Sequence, residues 1–326
     1  LMQGFNPKFN TFPDFILGIT NEIWEQKGVD SLNHYYTDDI IVRSPASVVI
    51  GNQAVIKATY ATLDEFPDRQ LLGEDVIWSG TPEEGMLSSH RILSTATHSG
   101  DGVFGKATGT KLIYRVIADC HAKNNQINDE WLIRDLSAIV KQLGWTAEDY
   151  ARQQIADEGG PNVCTKPFNQ YSDMTGPYQG SGNDDEWGQA YADSLNTIMS
   201  GDLSVIDTRY DRAAIGAYPC HQTAIGQPDI KAFWLGLRAS LPSAKFNIHH
   251  QIGRNEPMMP PRAAIRWSLS GKHDGAGRFG APSGADIYVM GISHAEFGPR
   301  GLRREYTLLD DVAIWKQIHL HTGDLS

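Results

Sequence analysis

An α+β fold made of two tandem copies of one module is what this sequence predicts, and three observations carry the prediction. The chain repeats itself at a constant offset. Each copy sets helical patterns ahead of a run of long alternating strands. A Gly- and Pro-rich polar stretch separates the copies.

The repeat is the strongest of the three. Arg91, His98, Gly102, Phe104, Gly105 and Gly109 recur as Arg266, His273, Gly277, Phe279, Gly280 and Gly284, always 175 residues on. Ile50-Gly51 recurs as Ile225-Gly226, Glu130-Trp131 as Glu305-Tyr306, and Asp135 as Asp310 at the same distance. A register held over so many positions marks a duplicated structural unit. It divides the 326 residues into a first module over 1–143, a linker over 144–184 and a second module over 185–326.

In the first module Pro13 and Asp14 open an amphipathic helix over 15–26, and a short helix follows Gly28 over 30–36. A strand over 40–43 precedes a helix capped by Asn52 and stopped by Pro67. Strands are predicted over 72–79, 87–98, 111–121 and 126–135, separated by turns such as Ser99-Gly100-Asp101-Gly102 and Asn124-Asn125. The second module repeats the order, with helices over 185–200, 203–208 and 228–240. Its strands are predicted over 214–218, 245–254, 262–273, 285–296 and 303–312. In the linker Thr146 caps a helix over 146–155, and Gly159-Gly160-Pro161 begins a loop. Phe168, Tyr171, Met174 and Tyr178 are too apolar for a free tether. They predict a segment draped over the modules, shaping a pocket mouth.

Composition narrows the function. A net charge of -11 repels a phosphate backbone, and no basic block occurs beyond 300–304, which reads as a turn. Nucleic acid is therefore not an expected partner. Cys120, Cys164 and Cys220 are odd in number and far apart, which fits a reducing compartment rather than a disulfide framework or zinc site. No apolar run is long enough for a membrane span, and no basic-then-apolar leader opens the sequence, so a cytoplasmic location is expected. His249 and His250 point to opposite faces of a strand, and His319 and His321 sit in a tail, so no metal is expected. Walker, dinucleotide and GxSxG signatures do not occur.

Arg91, His98, Gly100, Phe104, Gly105, Thr108 and Gly109, followed by the run from Asp129 to Asp135, resemble the SnoaL-like polyketide cyclases of the nuclear transport factor 2-like superfamily. The resemblance covers about residues 12–143 and, more loosely, 186–318, where Tyr306 stands for the Trp. It implies cone-shaped modules with helices packed on a curved antiparallel sheet, without metal or redox cofactor, paired through their sheets as an intrachain pseudo-dimer. Further association between copies is left open. Such folds host many chemistries.

In that family a pocket Asp is the general acid/base, which implies Asp135 here and Asp310 in the second copy. Alternation places Trp131, Ile133 and Asp135 on one face, as it does Tyr306, Leu308 and Asp310. The alternative for each Asp is a strand-end cap. His98 and His273 are proton-shuttle candidates that sit beside Gly-rich turns, where they equally serve the turn itself. His90 shares a strand face with Ile92, and His121 shares one with Asp119. The second copy keeps His294 but places Ile292 where Asp119 would fall. Glu130 and Glu305 read as partners of Arg91 and Arg266 on the opposite face. Trp24, Trp131, Tyr36, Tyr114, Tyr288 and Tyr306 are the expected pocket lining; Tyr114, Tyr288 and Tyr36 are candidate hydroxyl donors, the alternative for each being a core tyrosine with a satisfied hydroxyl.

The expected function is a cofactor-free acid/base enzyme of cyclase, isomerase or lyase type, acting on a small, largely apolar carbonyl or hydroxyl compound. A non-catalytic small-molecule binder is the alternative from another class. A water-activating hydrolase or dehydratase is the alternative among enzymes.

Overall fold

The computed structural model describes residues 2–326. Helix α1 (Phe12–Thr20) starts from a capping box. The Thr11 side chain accepts from the Asp14 N–H while the Asp14 carboxylate accepts from the Thr11 N–H. A π-helical turn (Asn21–Glu25) continues it, a device often found at functional sites. The short helix α2 (Leu32–Tyr35) leads into β1 (Tyr36–Ser44), β2 (Ser47–Ile50), α3 (Asn52–Glu65), β3 (Gln70–Thr81), β4 (Gly85–Thr97), β5 (Lys111–Lys123), β6 (Gln126–Arg134) and α4 (Leu136–Gln142). The linker supplies α5 (Ala147–Asp157), capped by Thr146. The second module follows with α6 (Glu186–Met199), α7 (Ser204–Arg209), β7 (Tyr210–Tyr218), β8 (Gln222–Ile225), α8 (Gly226–Ser240), β9 (Lys245–Arg254), β10 (Arg262–Lys272), β11 (Asp286–Gly298), β12 (Gly301–Leu308) and α9 (Asp311–Thr322).

Among the described residues the strands form two six-stranded sheets of identical order, β2-β1-β6-β5-β4-β3 and β8-β7-β12-β11-β10-β9. Each is antiparallel except where β1 lies parallel to β6 and β7 parallel to β12. Gly51 and Gly226, with φ of 93° and 82°, make the left-handed entry into α3 and α8 that a side chain would strain. The hairpin strands β2 and β8 are too short to give an alternation signal, and the sequence reading missed them. It also ran the last strands too far. Each chain turns at Asp135 and Asp310, and the apolar residues beyond belong to α4 and α9. His319 and His321 are therefore helical, and the His319 ring bonds the Glu148 carbonyl at 2.9 Å.

The outer faces of the two sheets pack on each other. Ile117, Ile133, Met290, Ile292 and Leu308 form one buried cluster with Phe168 of the linker. Ile77, Leu87, Ile252 and Ala264 form another. Each fully buried aliphatic side chain is worth about 1.5–3 kcal/mol. Polar contacts repeat with pseudo-twofold symmetry. Arg91 stacks 3.5 Å over the Tyr306 ring, and its counterpart Arg266 stacks 3.8 Å over the Trp131 ring. Arg91 also meets His294 at 3.0 Å, and Arg266 meets Asp119 at 2.6 Å. Ladder register makes His294 the counterpart of Asp119, since Ser89 pairs Asp119 and Ala264 pairs His294; the sequence reading had this two residues out of step.

The linker is bolted along this seam. Arg43 binds Asp129 and Asp173 and donates to the Met174 carbonyl at 2.6 Å. The Tyr178 hydroxyl meets His250 at 2.6 Å. Helix α5 contributes Tyr150, Gln154 and Asp157, and the following Glu158, to a crevice described below.

Burial alone raises the Asp119 carboxyl pKa and outweighs the attraction of Arg266. Removing one partner therefore strands a buried charge, whereas removing both does not. Arg266→Leu is expected to cost about 3–5 kcal/mol in urea unfolding, and Arg266→Leu with Asp119→Leu to recover most of it. Equal losses in the two variants would contradict this account.

Candidate active site

The inner face of the first sheet carries Glu130, Leu132 and Arg134 on β6, Val116, Ala118 and Cys120 on β5, and His90 and Ile92 on β4. Between this face, α1, the π turn and α3 lies a cavity of about 260 Å³, at the small end for ligand pockets. Its walls are mainly aliphatic, with Trp24 contributed by the π turn.

Few polar groups converge there, and each has a definite state. Glu130 is buried, and its Oε1 accepts from the Tyr36 hydroxyl at 2.9 Å and from the Cys120 thiol at 3.0 Å. Its Oε2 has no hydrogen-bond partner among the described residues. Burial raises the carboxyl above its ordinary range, only partly opposed by those two bonds and by Arg134. Burial also pushes Tyr36 and Cys120 up, so both remain protonated donors. His90 sits two strands away from Glu130, roughly 10 Å across the sheet. It is buried with Nε2 unpartnered among the described residues, and burial together with Arg91 lowers its pKa to about 4. It is a neutral imidazole at pH 7.

Arg69 and Arg134 close the far end of the cavity. Arg69 stacks 4.4 Å over Trp24 and donates only to the Ser94 hydroxyl, at 3.2 Å. Arg134 makes no side-chain hydrogen bond or ion pair among the described residues. Burial and the neighbouring Arg69 charge both lower its pKa. The same two arginines line a larger outer crevice of about 800 Å³ between α3, the loop at 101–104, α4 and α5. They thus stand at the boundary between an inner hollow and an outer vestibule.

Of the residues singled out from sequence, His90, Trp24 and Tyr36 lie in the cavity wall. Tyr114 lines only the outer crevice, beside Arg69. Asp135 is not on an inner face. It caps α4 through the Ala138 N–H, and its two oxygens accept from the Cys220 and His221 N–H groups at 2.8 and 3.0 Å. Asp310 caps α9 through Ala313, and burial lifts its carboxyl to about 7. Both aspartates cap helix starts and are absent from the cavity lining, Asp135 with both oxygens bonded, which corrects the inward placement read from alternation. His98 holds a turn, bonding Glu65 at 2.8 Å and Thr108 at 3.0 Å, and His273 repeats the bond with Ser283 at 2.8 Å. His121 bonds Asn128 and stacks near Tyr178 at the sheet seam. Trp131 and Tyr306 are the seam's arginine platforms, and Tyr288 packs on Phe168. Glu130 and Arg91 are not partners, because they lie on opposite faces of the sheet. Glu130, Cys120, Arg69 and Arg134 were missed as a site because the wrong face of β6 was taken as inner. The signal that could have found them is the comparison of copies.

That comparison is decisive about the two interiors. In the second module the carboxylate persists as Glu305 but accepts four bonds, from Tyr191, Tyr210, Tyr218 and Trp234, at distances that include 2.7 and 2.9 Å. By the ladder register Ser44 and Ile92 become Tyr218 and Trp267, and at the repeat offset Thr59 becomes Trp234. These rings pack together, with Tyr218 stacked 3.8 Å from Phe233 and Trp234 6.1 Å from Trp267. Arg69, His90, Cys120 and Arg134 become Ala244, Ile265, Ala295 and Leu309. The second interior is filled with rings around a four-bonded carboxylate, and the first is a mainly aliphatic hollow with a few incompletely bonded polar groups.

The family model for the SnoaL-like polyketide cyclase matches residues 10–143. No curated protein sequence is similar enough to count as a match. Among solved structures, a SnoaL-like polyketide cyclase of Agrobacterium tumefaciens is 17% identical, with 41% of this chain and 99% of that one covered and a TM-score of 0.33. IdmH of Streptomyces antibioticus, named provisionally as a polyketide cyclase, is 18% identical, with 41% and 98% covered and a TM-score of 0.35. AclR of Streptomyces galilaeus, named provisionally as a hydroxylase, is 19% identical, with 39% and 96% covered and a TM-score of 0.31. The first module of this chain, over residues 10–143, thus matches the SnoaL-like polyketide cyclase family, and the second module repeats its strand order.

Proposed function

We propose that the first module is an acid/base enzyme of cyclase or isomerase type that works without a cofactor, and that the second module is its non-catalytic support. The substrate class is a small, largely apolar carbonyl compound. Glu130 is the base: its Oε1 is held by Tyr36 and Cys120, and its Oε2 is left to take a proton from a carbon acid. His90, neutral at pH 7, is the hydrogen-bond partner two strands away on the same inner face. The observation that carries this reading is the asymmetry of the two carboxylates. Glu305 is saturated by four donors among aromatic rings, while Glu130 keeps a free oxygen in a hollow.

A test needs no knowledge of the natural substrate. Nitrobenzisoxazole opens when a base removes its one acidic C–H proton and the N–O bond breaks, so it reports a carboxylate base in an apolar hollow. Glu130→Gln is expected to lower kcat/KM for this probe by about 10²–10⁴-fold. Its unfolding midpoint at neutral pH should be unchanged or raised, because a buried charge is removed. Undiminished turnover in Glu130→Gln would favour the binding-module alternative. Because the active form of Glu130 is the anion and burial raises its pKa, the rate should climb with pH through that raised value and then level off.

Thr59→Trp writes the second module's residue into the first. It is expected to abolish probe turnover and leave the fold's circular dichroism intact, since Thr59 faces the cavity.

His90 gives a stability signature. Its folded pKa is depressed to about 4 from 6.5, so the folded state loses stability as pH falls through 6.5 towards 4. Between pH 7 and pH 5 the loss should be about 2 kcal/mol, and it should be absent in His90→Ile, measured by urea unfolding.

A further inference from the structure

We infer that the ligand of the first module is an amphipathic carboxylate, its anionic head held between Arg69 and Arg134 and its apolar body reaching down to Glu130. This rests on the cavity being the working site, and it adds the ligand's charge and dimensions.

Arg69 is 4% exposed, yet the Ser94 hydroxyl is its one hydrogen-bond acceptor among the described residues. Arg134 has none. Among the described residues neither arginine takes part in any ion pair, although several other arginines of this chain are matched with carboxylates, such as Arg43 with Asp129 and Arg278 with Asp311. Two guanidinium groups without ion-pair partners, near enough that the charge of Arg69 lowers the Arg134 pKa, are destabilising in a largely apolar wall. The second module dispenses with both, holding Ala244 and Leu309 at these positions, so the fold itself does not require them. The charges of Glu130 and Asp310 reach Arg134 without forming an ion pair, and of the acids lining the crevice Glu65 accepts from His98 and from the Val103 and Phe104 N–H groups while Glu158 pairs with Lys316. Both arginines line the inner cavity and the outer crevice, so an anion arriving through the crevice meets them first. Paired guanidinium forks fit the planar, two-oxygen geometry of a carboxylate.

The strand sets the ligand's length. Arg134 and Glu130 are four residues apart on one face of β6, roughly 13 Å at the strand rise, and side chains on one face stand nearly parallel. Subtracting one contact of about 3 Å at each end leaves about 7 Å between the carboxylate and the reacting carbon. That span is an upper limit, because the charges of Arg134 and Glu130 reach each other, and it suits a fused bicyclic acid or an acyl chain of similar reach.

The test is calorimetric titration of the full chain with naphthoate, the uncharged naphthamide of the same shape, and naphthyl phosphate. Naphthoate should bind at least tenfold tighter than naphthamide. That ratio should fall to about one in Arg134→Leu and be largely restored in Arg134→Lys. Arg69→Ala should lower it as well. Equal binding of naphthoate and naphthamide to the unaltered protein would overturn the inference, as would a preference that survives Arg134→Leu. Naphthyl phosphate binding tenfold tighter than naphthoate would overturn the carboxylate assignment in favour of a phosphate. Glu130→Gln separates this inference from the proposed base. Carboxylate selectivity retained in that variant, beside undiminished turnover of nitrobenzisoxazole, would remove the base and leave the anion site standing.

Discussion

A carboxylate buried inside an apolar cup has to be satisfied, and how it is satisfied decides what each half of this protein can do. Glu130 and Glu305 occupy the same place on the last strand of their sheets, and both are raised by burial. In the second module three tyrosines and a tryptophan spend their polar atoms on Glu305, and their rings fill the space above it. In the first module one tyrosine and one cysteine serve a single oxygen. The room not taken by rings is the cavity. Full satisfaction rigidifies a buried polar network, and an unpaired buried polar group is costly. One position thus accounts for a filled interior in one module and a hollow one, with a carboxylate oxygen left unpartnered among the described residues, in the other.

The seam between the sheets completes the division. Hollowing a small α+β module removes packing that would otherwise hold it, since a void forfeits dispersion contacts along its lining. The first module recovers burial on its outer face, where Ile77, Leu87, Ile117 and Ile133 meet the second sheet. Arg91 and Arg266 cross the seam to aromatic platforms on the opposite module, and the β7–β8 turn closes on Asp135. Cys220 and His221, at φ of 70° and 51°, give that turn the left-handed conformation in which two successive N–H groups converge on one carboxylate. Asp135 thereby joins the halves of the chain, a use that its place in a family motif does not disclose.

Much of the fold was legible because repetition is independent of propensity. The offset between copies located both modules, and strand alternation located the long members of each sheet. Which face of β6 looks inward was not legible from that strand alone. Glu130 and Arg134 alternate with Trp131 and Ile133, and both faces carry charge beside apolar residues, since one lines a cavity and the other a sheet-on-sheet seam. An aromatic residue retained in both copies, Trp131 and Tyr306, looked like pocket lining. Such retention follows equally from stacking on an arginine of the opposite module. Tyr114 and Tyr288 look like counterparts because the residue types agree, yet the ladder sets Tyr114 opposite Ser94 and Tyr288 opposite Ser270, one step apart, on opposite faces. A period of two turns any slip of one residue into a change of side.

The site itself becomes readable when differences between copies are weighed instead of agreements. Agreement collects what the scaffold needs in both halves: the turn held by His98 and His273, the caps Asp135 and Asp310, and the stacking arginines. Chemistry confined to one half must appear as disagreement. Arg69 against Ala244, His90 against Ile265, Cys120 against Ala295 and Arg134 against Leu309 are each a costly polar group set against an apolar one on the same scaffold. All four polar members of these pairs line one cavity. Since the second module folds without any of them, the scaffold does not require them, and the proposed ligand site is the use for them that the cavity offers.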